Sequence, residues 1–211
     1  MSGKRFATSF GLRTLAPVAL ALLFAGASFG STIDHGTGLA GLFQTITFSE
    51  LSFAPNTPIT TQFASLGVSF TPQLYYDTPD VLYANIVGDR LQNYYFQNDY
   101  ICCNDFSIFF TKVQSAVDFN FVTQPGTTTF TARLGGVIQE TFTTNTDLLT
   151  TPNFYGFQGI SLDEIDVSVS SVNGAMQLDN LQMGVPEPGG WALLASGLMA
   201  LAAFSRRKKT R

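Results

Sequence analysis

The stretch SAVDFNFVTQPGTTTFTARLGG, residues 115–136, decides the fold of this chain. In its first half Val117, Phe119 and Phe121 alternate with Asp118 and Asn120, and residues 129–134 of the second half alternate in the same way. Side chains of a β-strand point alternately to the two faces of a sheet, so a period of two predicts a strand with one buried face. The stretch therefore predicts two β-strands whose apolar side chains face a common core.

Glycine-containing pairs mark the turns around these strands. Pro125-Gly126 separates the two strands, and Gly135-Gly136 leads into a further strand over residues 137–142. Residues 165–169 alternate again, and Asn173-Gly174 follows them with the residue types that a type I′ turn requires. We therefore predict a hairpin in which Asn173-Gly174 joins residues 165–169 to residues 176–183.

Earlier parts of the chain are also predicted to be short strands, with prolines at the joints between them. These segments are residues 43–48, 59–63, 67–71, 81–87 and 106–110. About nine or ten strands with one buried face each need a second sheet to cover that face. The sequence thus predicts an all-β fold, an antiparallel β-sandwich of jelly-roll type, in a single domain over residues 28–184.

The C-terminal 27 residues combine three features in a fixed order. Val185-Pro186-Glu187-Pro188 is followed by an apolar run over residues 191–204 and then by Arg206, Arg207 and Lys208. As a helix the 14-residue run would span about 21 Å, less than the ~30 Å hydrocarbon core of a bilayer. The basic residues after it favour a cytoplasmic end, which would leave the folded body outside the membrane.

This combination resembles the PEP-CTERM sorting signal. The resemblance implies a Gram-negative bacterium in which exosortase, an integral membrane cysteine protease, cuts near Pro186-Glu187-Pro188 and passes the protein to the cell surface. A plain tail-anchored domain with a proline-rich linker is the alternative. More diffusely, residues 46–51, 67–70 and 178–181 resemble the bodies of many PEP-CTERM proteins, which implies a lectin-like or galactose-binding-like jelly roll.

The N-terminus agrees with export. Lys4, Arg5 and Arg13 precede an apolar stretch over residues 15–25, followed by small residues. This order is typical of a secretory signal peptide. We expect signal peptidase to cut after Ala27, so that residues 1–27 are removed, with Gly30 as the second possible site.

Removing both terminal segments leaves a strongly acidic protein. Three of the 11 basic residues lie in the signal peptide and five in the tail, while all 15 acidic residues lie between Asp34 and Glu187. If the cut leaves Glu187 on the body, three cations face 15 carboxylates, a net charge of about −12, and without Glu187 it is about −11. Such a surface repels phosphate backbones, which argues against nucleic acid as a partner. It either tolerates divalent cations or simply keeps an exported domain soluble.

Two acidic residues suggest a structural calcium ion. In jelly-roll carbohydrate-binding domains a calcium ion commonly ties the end of an early strand to the last strand, and Glu50 and Asp179 occupy such positions. Calcium takes six to eight oxygen ligands, including backbone carbonyls that a sequence does not reveal. The alternative is that Asp179 and Asn180 only cap a turn or face water.

Cys102 and Cys103 are the two cysteines of the chain and are adjacent. Neighbouring Cα atoms lie near 3.8 Å, closer than the usual 4.4 to 6.8 Å of a disulfide, so a bridge between them would twist the intervening peptide. Reduced thiols and intermolecular bridges are the alternatives to a vicinal disulfide.

Two tyrosine pairs, Tyr75-Tyr76 and Tyr94-Tyr95, are candidates for glycan binding, with one ring of each pair facing outward. Packing at strand edges is the alternative. Together with the sorting signal, they predict a noncatalytic structural, adhesive or polysaccharide-binding protein at the cell surface or in the extracellular matrix, in contact with exopolysaccharide. The runner-up is a glycan-active hydrolase with paired carboxylates, for which Glu50, Glu140 and Glu164 are candidates.

Overall fold

The computed structural model describes residues 30–41, 43–78, 83, 85–97, 99–102, 105–171 and 175–184. The predicted signal peptide and the predicted sorting signal, including its helix over residues 191–204, lie outside these residues. Cys103 also lies outside them, as do the side chains of Tyr95 and Cys102.

The described residues form β-strands and one short 3-10 helix, Ala64–Leu66. The strands are β1 (Ser31–Gly36), β2 (Gln44–Ile46), β3 (Pro58–Ile59), β4 (Val68–Phe70), β5 (Leu74–Asp77), β6 (Arg90–Gln92), β7 (Tyr94–Gln97), β8 (Asp99–Cys102), β9 (Phe106–Thr123), β10 (Gly126–Leu134), β11 (Val137–Thr146), β12 (Phe154–Ser171) and β13 (Met176–Gly184).

Most of these strands belong to one antiparallel sheet. Its order is β11-β10-β12-β9-β13-β6-β5-β3, with β1 beside β12, β2 beside β13 and β4 beside β9, while β7 and β8 pair separately. Every pairing between the strands is antiparallel. The prediction of an all-β, antiparallel fold is therefore confirmed.

The two longest strands, β9 and β12, have 18 residues each and pair with different strands at their two ends. The start of β9 pairs with β4, and its end pairs with β13. The start of β12 pairs with β1, and its end pairs with β10. Register shifts between Gln158 and Leu162 and between Leu162 and Glu164 interrupt the β9–β12 pairing. Irregularities of this kind bend and twist strands, so they let the sheet curve over its own core.

Phe130 on β10 lies at the centre of that core. Its ring is stacked on Tyr155 of β12 at 5.4 Å and on Phe142 of β11 at 5.0 Å. It also meets Phe119 and Phe121 of β9 at 5.9 Å and 5.5 Å, although β10 and β9 are not paired neighbours. The sheet therefore folds over so that the faces carrying these rings pack together, as the alternation over residues 115–136 predicts.

The hairpin predicted between residues 165–169 and 176–183 is wrong. β12 and β13 both pair with β9, which lies between them in the sheet. The hairpin at Gly135-Gly136, in contrast, is confirmed, because β10 and β11 pair from Leu134 and Val137 outward.

Three other strand predictions need correction. Of the predicted strand 59–63 only Ile59 lies in a strand, β3, and residues 60–63 form a bend and a turn that lead into the 3-10 helix. Residues 106–110 and 117–121 were predicted as separate strands but belong to the single strand β9. Within residues 81–87 the described part contains an isolated bridge between Tyr83 and Ile86 rather than a strand.

Candidate functional site

Polar side chains form two rows across one face of strands β5, β6 and β13. Tyr75 is paired with Gln92, and Gln92 is paired with Gln177. Asp77 is paired with Arg90 in the next row. Residues directly opposite one another on paired strands project from the same face of the sheet. We call this set of five side chains the polar face.

A buried ion pair anchors the second row. Nε and Nη2 of Arg90 donate to Oδ2 of Asp77 at 2.8 and 2.7 Å, and the Arg90 side chain is fully buried. Charged side chains are rarely found in such surroundings without a partner, because the cost of removing them from water is large. The pair therefore fixes the register of β5 against β6 within the polar face.

Asp179 on β13 lies beside this ion pair and is fully buried. Its carboxylate accepts hydrogen bonds from the backbone N–H of Val87 at 2.9 Å and from that of Asn180 at 2.6 Å. Burial raises the pKa of Asp179 to about 7, although these hydrogen bonds and the positive charge of Arg90 act to lower it. Asp179 therefore accepts hydrogen bonds from the backbone of a turn, which is one of the two alternatives to a calcium ligand that its sequence position left open.

The two predicted calcium ligands lie close enough for their charges to interact. The negative charge of Glu50 contributes to the raised pKa of Asp179. Glu50 is exposed, however, and its Oε1 accepts hydrogen bonds from the backbone N–H and the hydroxyl of Thr47 at 2.8 and 3.0 Å. Among the described residues no three His, Cys, Asp or Glu side chains are grouped as metal ligands. Most oxygens of a calcium shell would therefore have to be backbone, amide or water oxygens.

Of the four candidate tyrosines, Tyr76 is unsuited to receive a sugar. It is 1% exposed and packs edge-on against Phe53 at 5.4 Å, so it belongs to the core. Tyr75 and Tyr94 are half-buried. The hydroxyl of Tyr94 accepts a hydrogen bond from Nε2 of Gln177 at 2.9 Å, and burial raises its pKa to about 12. Tyr94 therefore borders the polar face, to which Tyr75 itself belongs.

Sequence reasoning missed the two glutamines that link these tyrosines. Gln92 and Gln177 are each 3% exposed, and the Oε1 atom of each has no hydrogen-bond partner in the described part of the chain. A buried oxygen without a hydrogen-bond partner destabilises the folded state, so a group that donates a hydrogen bond to it would be stabilised there. Gln177 lies within a predicted strand, but nothing in the local sequence indicates what lies over it.

A network of asparagines holds the loop before β6 against the sheet. Oδ1 of Asn153 accepts hydrogen bonds from Asn85 at 2.7 Å and from Asn120 at 3.1 Å. Nδ2 of Asn180 donates to Oδ1 of Asn120 at 3.0 Å. Asn85 and Asn180 have positive φ values of 62° and 48°, a conformation that asparagine tolerates better than most residues. This network positions the backbone N–H of Val87 that Asp179 binds.

Asp118 on β9 was predicted to lie on the outer face of its strand, but it is fully buried. Neither of its carboxylate oxygens has a hydrogen-bond partner among the described residues. Burial raises its pKa to about 7. Gly156 of β12 lies directly opposite, and a Cβ atom there would come within 2.0 Å of the Val117 carbonyl oxygen. The close approach of the β9 and β12 backbones at this point therefore helps to bury Asp118.

The three glutamates named as candidates for a hydrolase lie on or beside different strands. Glu50 follows β2, Glu140 lies on β11 and Glu164 on β12. Burial raises the pKa of Glu164, and the nearby Asp166 charge and a hydrogen bond with that side chain raise it further. Glycosidase carboxylates flank the scissile bond about 5 to 10 Å apart, whereas Glu164 and Asp166 are in direct hydrogen-bond contact.

His35, the single histidine of the chain, packs edge-on against the buried Tyr155, with ring centroids 5.0 Å apart. Its Nδ1 lies 3.1 Å from the Tyr155 hydroxyl and 3.2 Å from the Pro152 carbonyl oxygen. A carboxylate oxygen of Asp34 lies 3.8 Å from Nε2. These contacts fix the end of β1 against β12.

Comparison of the chain with protein-family models, with curated proteins and with solved structures gives no match in any of the three. In the described ranges no helix is long and apolar enough to cross a membrane.

Proposed function

We propose that this chain is an exosortase substrate that is exported, cut near Pro186-Glu187-Pro188 and displayed at the cell surface or in the extracellular matrix. The observation that carries the proposal is the order of the three C-terminal features: the Val185–Pro188 peptide, the apolar run 191–204 and the basic cluster that begins at Arg206. Signal peptidase removes residues 1–27 and exosortase acts second. The membrane contact through the apolar run is transient.

At the surface the body acts as a noncatalytic structural or adhesive module that contacts exopolysaccharide. Support comes from the polar face, where Tyr75 and Tyr94 border two buried glutamine oxygens without partners among the described residues. Sugars are commonly held by aromatic rings with a few polar partners. The jelly-roll version of the antiparallel fold is part of this proposal, with β9 and β12 as the strands that pass between its sheets. A calcium ion beside Glu50 and Asp179 is a further part of it.

A sorting variant tests the first half of the proposal. Replacing both Pro186 and Pro188 with alanine is expected to keep the protein uncut and in the cell-membrane fraction, because exosortase no longer recognises the peptide. Pro72→Ala, in a turn before β5, is the matched control and is expected to be sorted like the wild type. Equal surface display of the double variant and the wild type would overturn the proposal.

A retention assay tests the second half. The protein purified from its host is passed over immobilised exopolysaccharide from the same host, and both retention and newly formed reducing ends are measured. Retention without new reducing ends is expected. New reducing ends that disappear with Glu164→Gln would instead favour the carboxylate hydrolase. Passage of the protein without delay would overturn a function in polysaccharide contact.

A further inference from the structure

Strand β11 (Val137–Thr146) lies at the edge of the main sheet. Within the described residues it pairs with β10 on one side and with no strand on the other. An edge strand presents a row of backbone N–H and C=O groups with which another chain can pair. At ten residues β11 is longer than a typical strand, so its open edge can accept a partner strand over several residues.

The sequence of β11 has few of the features that prevent edge pairing. Edge strands are commonly protected by charged side chains, by prolines or by bulges. β11 contains one charged residue, Glu140, and no proline. Its pairing with β10 shifts in register between Ala132 and Arg133, which face the first residues of β11. Residues 141–146 therefore form a regular and uncharged edge.

Exposed apolar side chains lie at both ends of β11. Val137 and Ile138 at its start are 64% and 56% exposed, and Leu149, three residues after its end, is 85% exposed. Oδ1 of Asp147 accepts hydrogen bonds from the backbone N–H of Leu149 at 2.7 Å and from that of Thr150 at 2.6 Å. These bonds fix the turn that carries Leu149, so apolar groups are held at both ends of one uncharged edge.

The two ends of β11 are complementary to each other under a two-fold axis. When two copies of a strand pair antiparallel about such an axis, the residue at the axis lies opposite itself. Val137 and Leu149 are each six residues from Thr143. An axis at Thr143 therefore brings Val137 level with Leu149 of the second copy. Ile138 then lies level with Leu148, so both apolar ends are covered together.

Charge also favours a second copy at this edge. The exported body is strongly acidic, so two copies repel each other wherever their carboxylates meet. With the axis at Thr143, Glu140 lies level with Thr146 of the second copy. Asp147 lies level with Gln139, and the residues between Glu140 and Asp147 are uncharged. Two acidic bodies can therefore approach here without placing like charges opposite each other.

We propose that two copies of this chain associate through β11 and join their sheets into one antiparallel sheet across a two-fold axis at Thr143. The pairing satisfies the open backbone groups of both edges. Contact between residues 137–138 of one copy and the turn at 147–149 of the other buries exposed apolar surface. Because a one-strand interface is small, we expect a weak dimer with a Kd on the order of 10 μM. The association is independent of polysaccharide binding.

A cysteine at the axis tests both the association and its register. Directly opposite Cα atoms of an antiparallel pair lie about 4.5 or 5.5 Å apart, within the range of about 4.4 to 6.8 Å that a disulfide requires. The protein is purified from its host with Cys102 and Cys103 replaced by serine and is treated with glutathione disulfide. Thr143→Cys in this background is expected to give a dimer in electrophoresis without reductant.

Thr141→Cys is the matched control. Thr141 and Thr143 are both exposed on β11, and the hydroxyl of each contacts a threonine hydroxyl of β10, at 3.2 and 2.7 Å. With the axis at Thr143, Thr141 lies level with Asn145 of the second copy, four residues or about 14 Å from the other Thr141. No disulfide-linked dimer is expected. Equal cross-linking of the two variants, or cross-linking of neither, would overturn the proposal.

Sedimentation velocity without engineered cysteines gives a second test, with reductant present to exclude bridges through the natural cysteines. The wild type is expected to form dimers as its concentration rises. Thr143→Asp is expected to raise the Kd at least tenfold, because it places two carboxylates directly opposite each other. Thr127→Asp, at an exposed threonine of β10, is expected to dimerise like the wild type. A wild type that stays monomeric, or equal effects of the two substitutions, would overturn the proposal.

Discussion

Replacing Asp118 with asparagine should stabilise the protein at neutral and alkaline pH. The side chain is fully buried, and its carboxylate has no hydrogen-bond partner in the described part of the chain. Asparagine has nearly the same shape but no charge, so the variant isolates the cost of burying the ionised carboxylate. The backbone of β12 at Gly156 and that of β9 stay as they are.

The size of the effect on stability follows from the difference in the pKa of Asp118 between the folded and the unfolded state. Burial raises the pKa of Asp118 from 3.8 to about 7, a difference of about three units. Each unit corresponds to about 1.4 kcal/mol, so the full effect is about 4 kcal/mol. Because the folded state holds the proton more tightly, the wild type has no penalty below about pH 4. It loses stability as the pH rises towards 7 and reaches the full penalty above that value.

Urea unfolding followed by circular dichroism, at pH 4 and at pH 8, measures this difference. Wild type and Asp118→Asn are expected to have similar free energies of unfolding at pH 4, and the variant is expected to be more stable by about 4 kcal/mol at pH 8. Asp34→Asn, at an exposed site, is the control and should change stability by less than about 0.5 kcal/mol at both values. An Asp118→Asn effect that is the same at both pH values would refute the reasoning.

Two further substitutions test the packing around the candidate site. Gly156→Ala should lower the free energy of unfolding by about 3 kcal/mol or more, since its Cβ would meet the Val117 carbonyl oxygen. Gly184→Ala should cost less, because the nearest contact of its Cβ is 3.3 Å away, and equal melting temperatures for the two variants would contradict this. Arg90→Met should lower the free energy of unfolding in urea by about 3 to 5 kcal/mol, because it leaves the Asp77 carboxylate without this cation. Arg133→Met, at a more exposed ion pair, should lower it by less than about 1 kcal/mol, and a similar cost at both sites would contradict a buried ion pair.

Local pattern was sufficient to predict most of the long strands and one hairpin. The alternation over residues 115–136 places Phe119, Phe121 and Phe130 in the core, where the structure has them. Gly135-Gly136 joins β10 to β11 because both strands lie close in sequence and the turn itself brings them together. These features depend on side-chain direction and turn geometry, which neighbouring residues determine.

Pairing between distant strands is not encoded in this way. Asn173-Gly174 has the residues of a tight turn, yet β9, some 50 residues earlier, lies between β12 and β13. A turn signal indicates where the chain reverses or bends, whereas the choice of neighbour depends on which faces are apolar across the whole sheet.

The candidate site was predicted in part for a related reason. A period of two predicts that Asp118 lies on the opposite face from Val117 but not that this second face is covered as well. Likewise Asp179 and Glu50 were selected by their places in the strand order, while Gln92 and Gln177 depend on partners in distant strands. Polar residues in strands are ordinarily assigned to water, so the sequence gives little sign that these are buried.

The intact mass of the protein recovered from the surface or medium of its own host tests the central claim most directly. Exosortase processing predicts a mass that ends near Pro186–Pro188 and begins near residue 28. Since Trp191 is the single tryptophan of the chain, the cut form should also lack indole fluorescence. A mass that runs through Arg211, with indole emission retained, would contradict surface sorting and indicate a protein that keeps its C-terminal anchor.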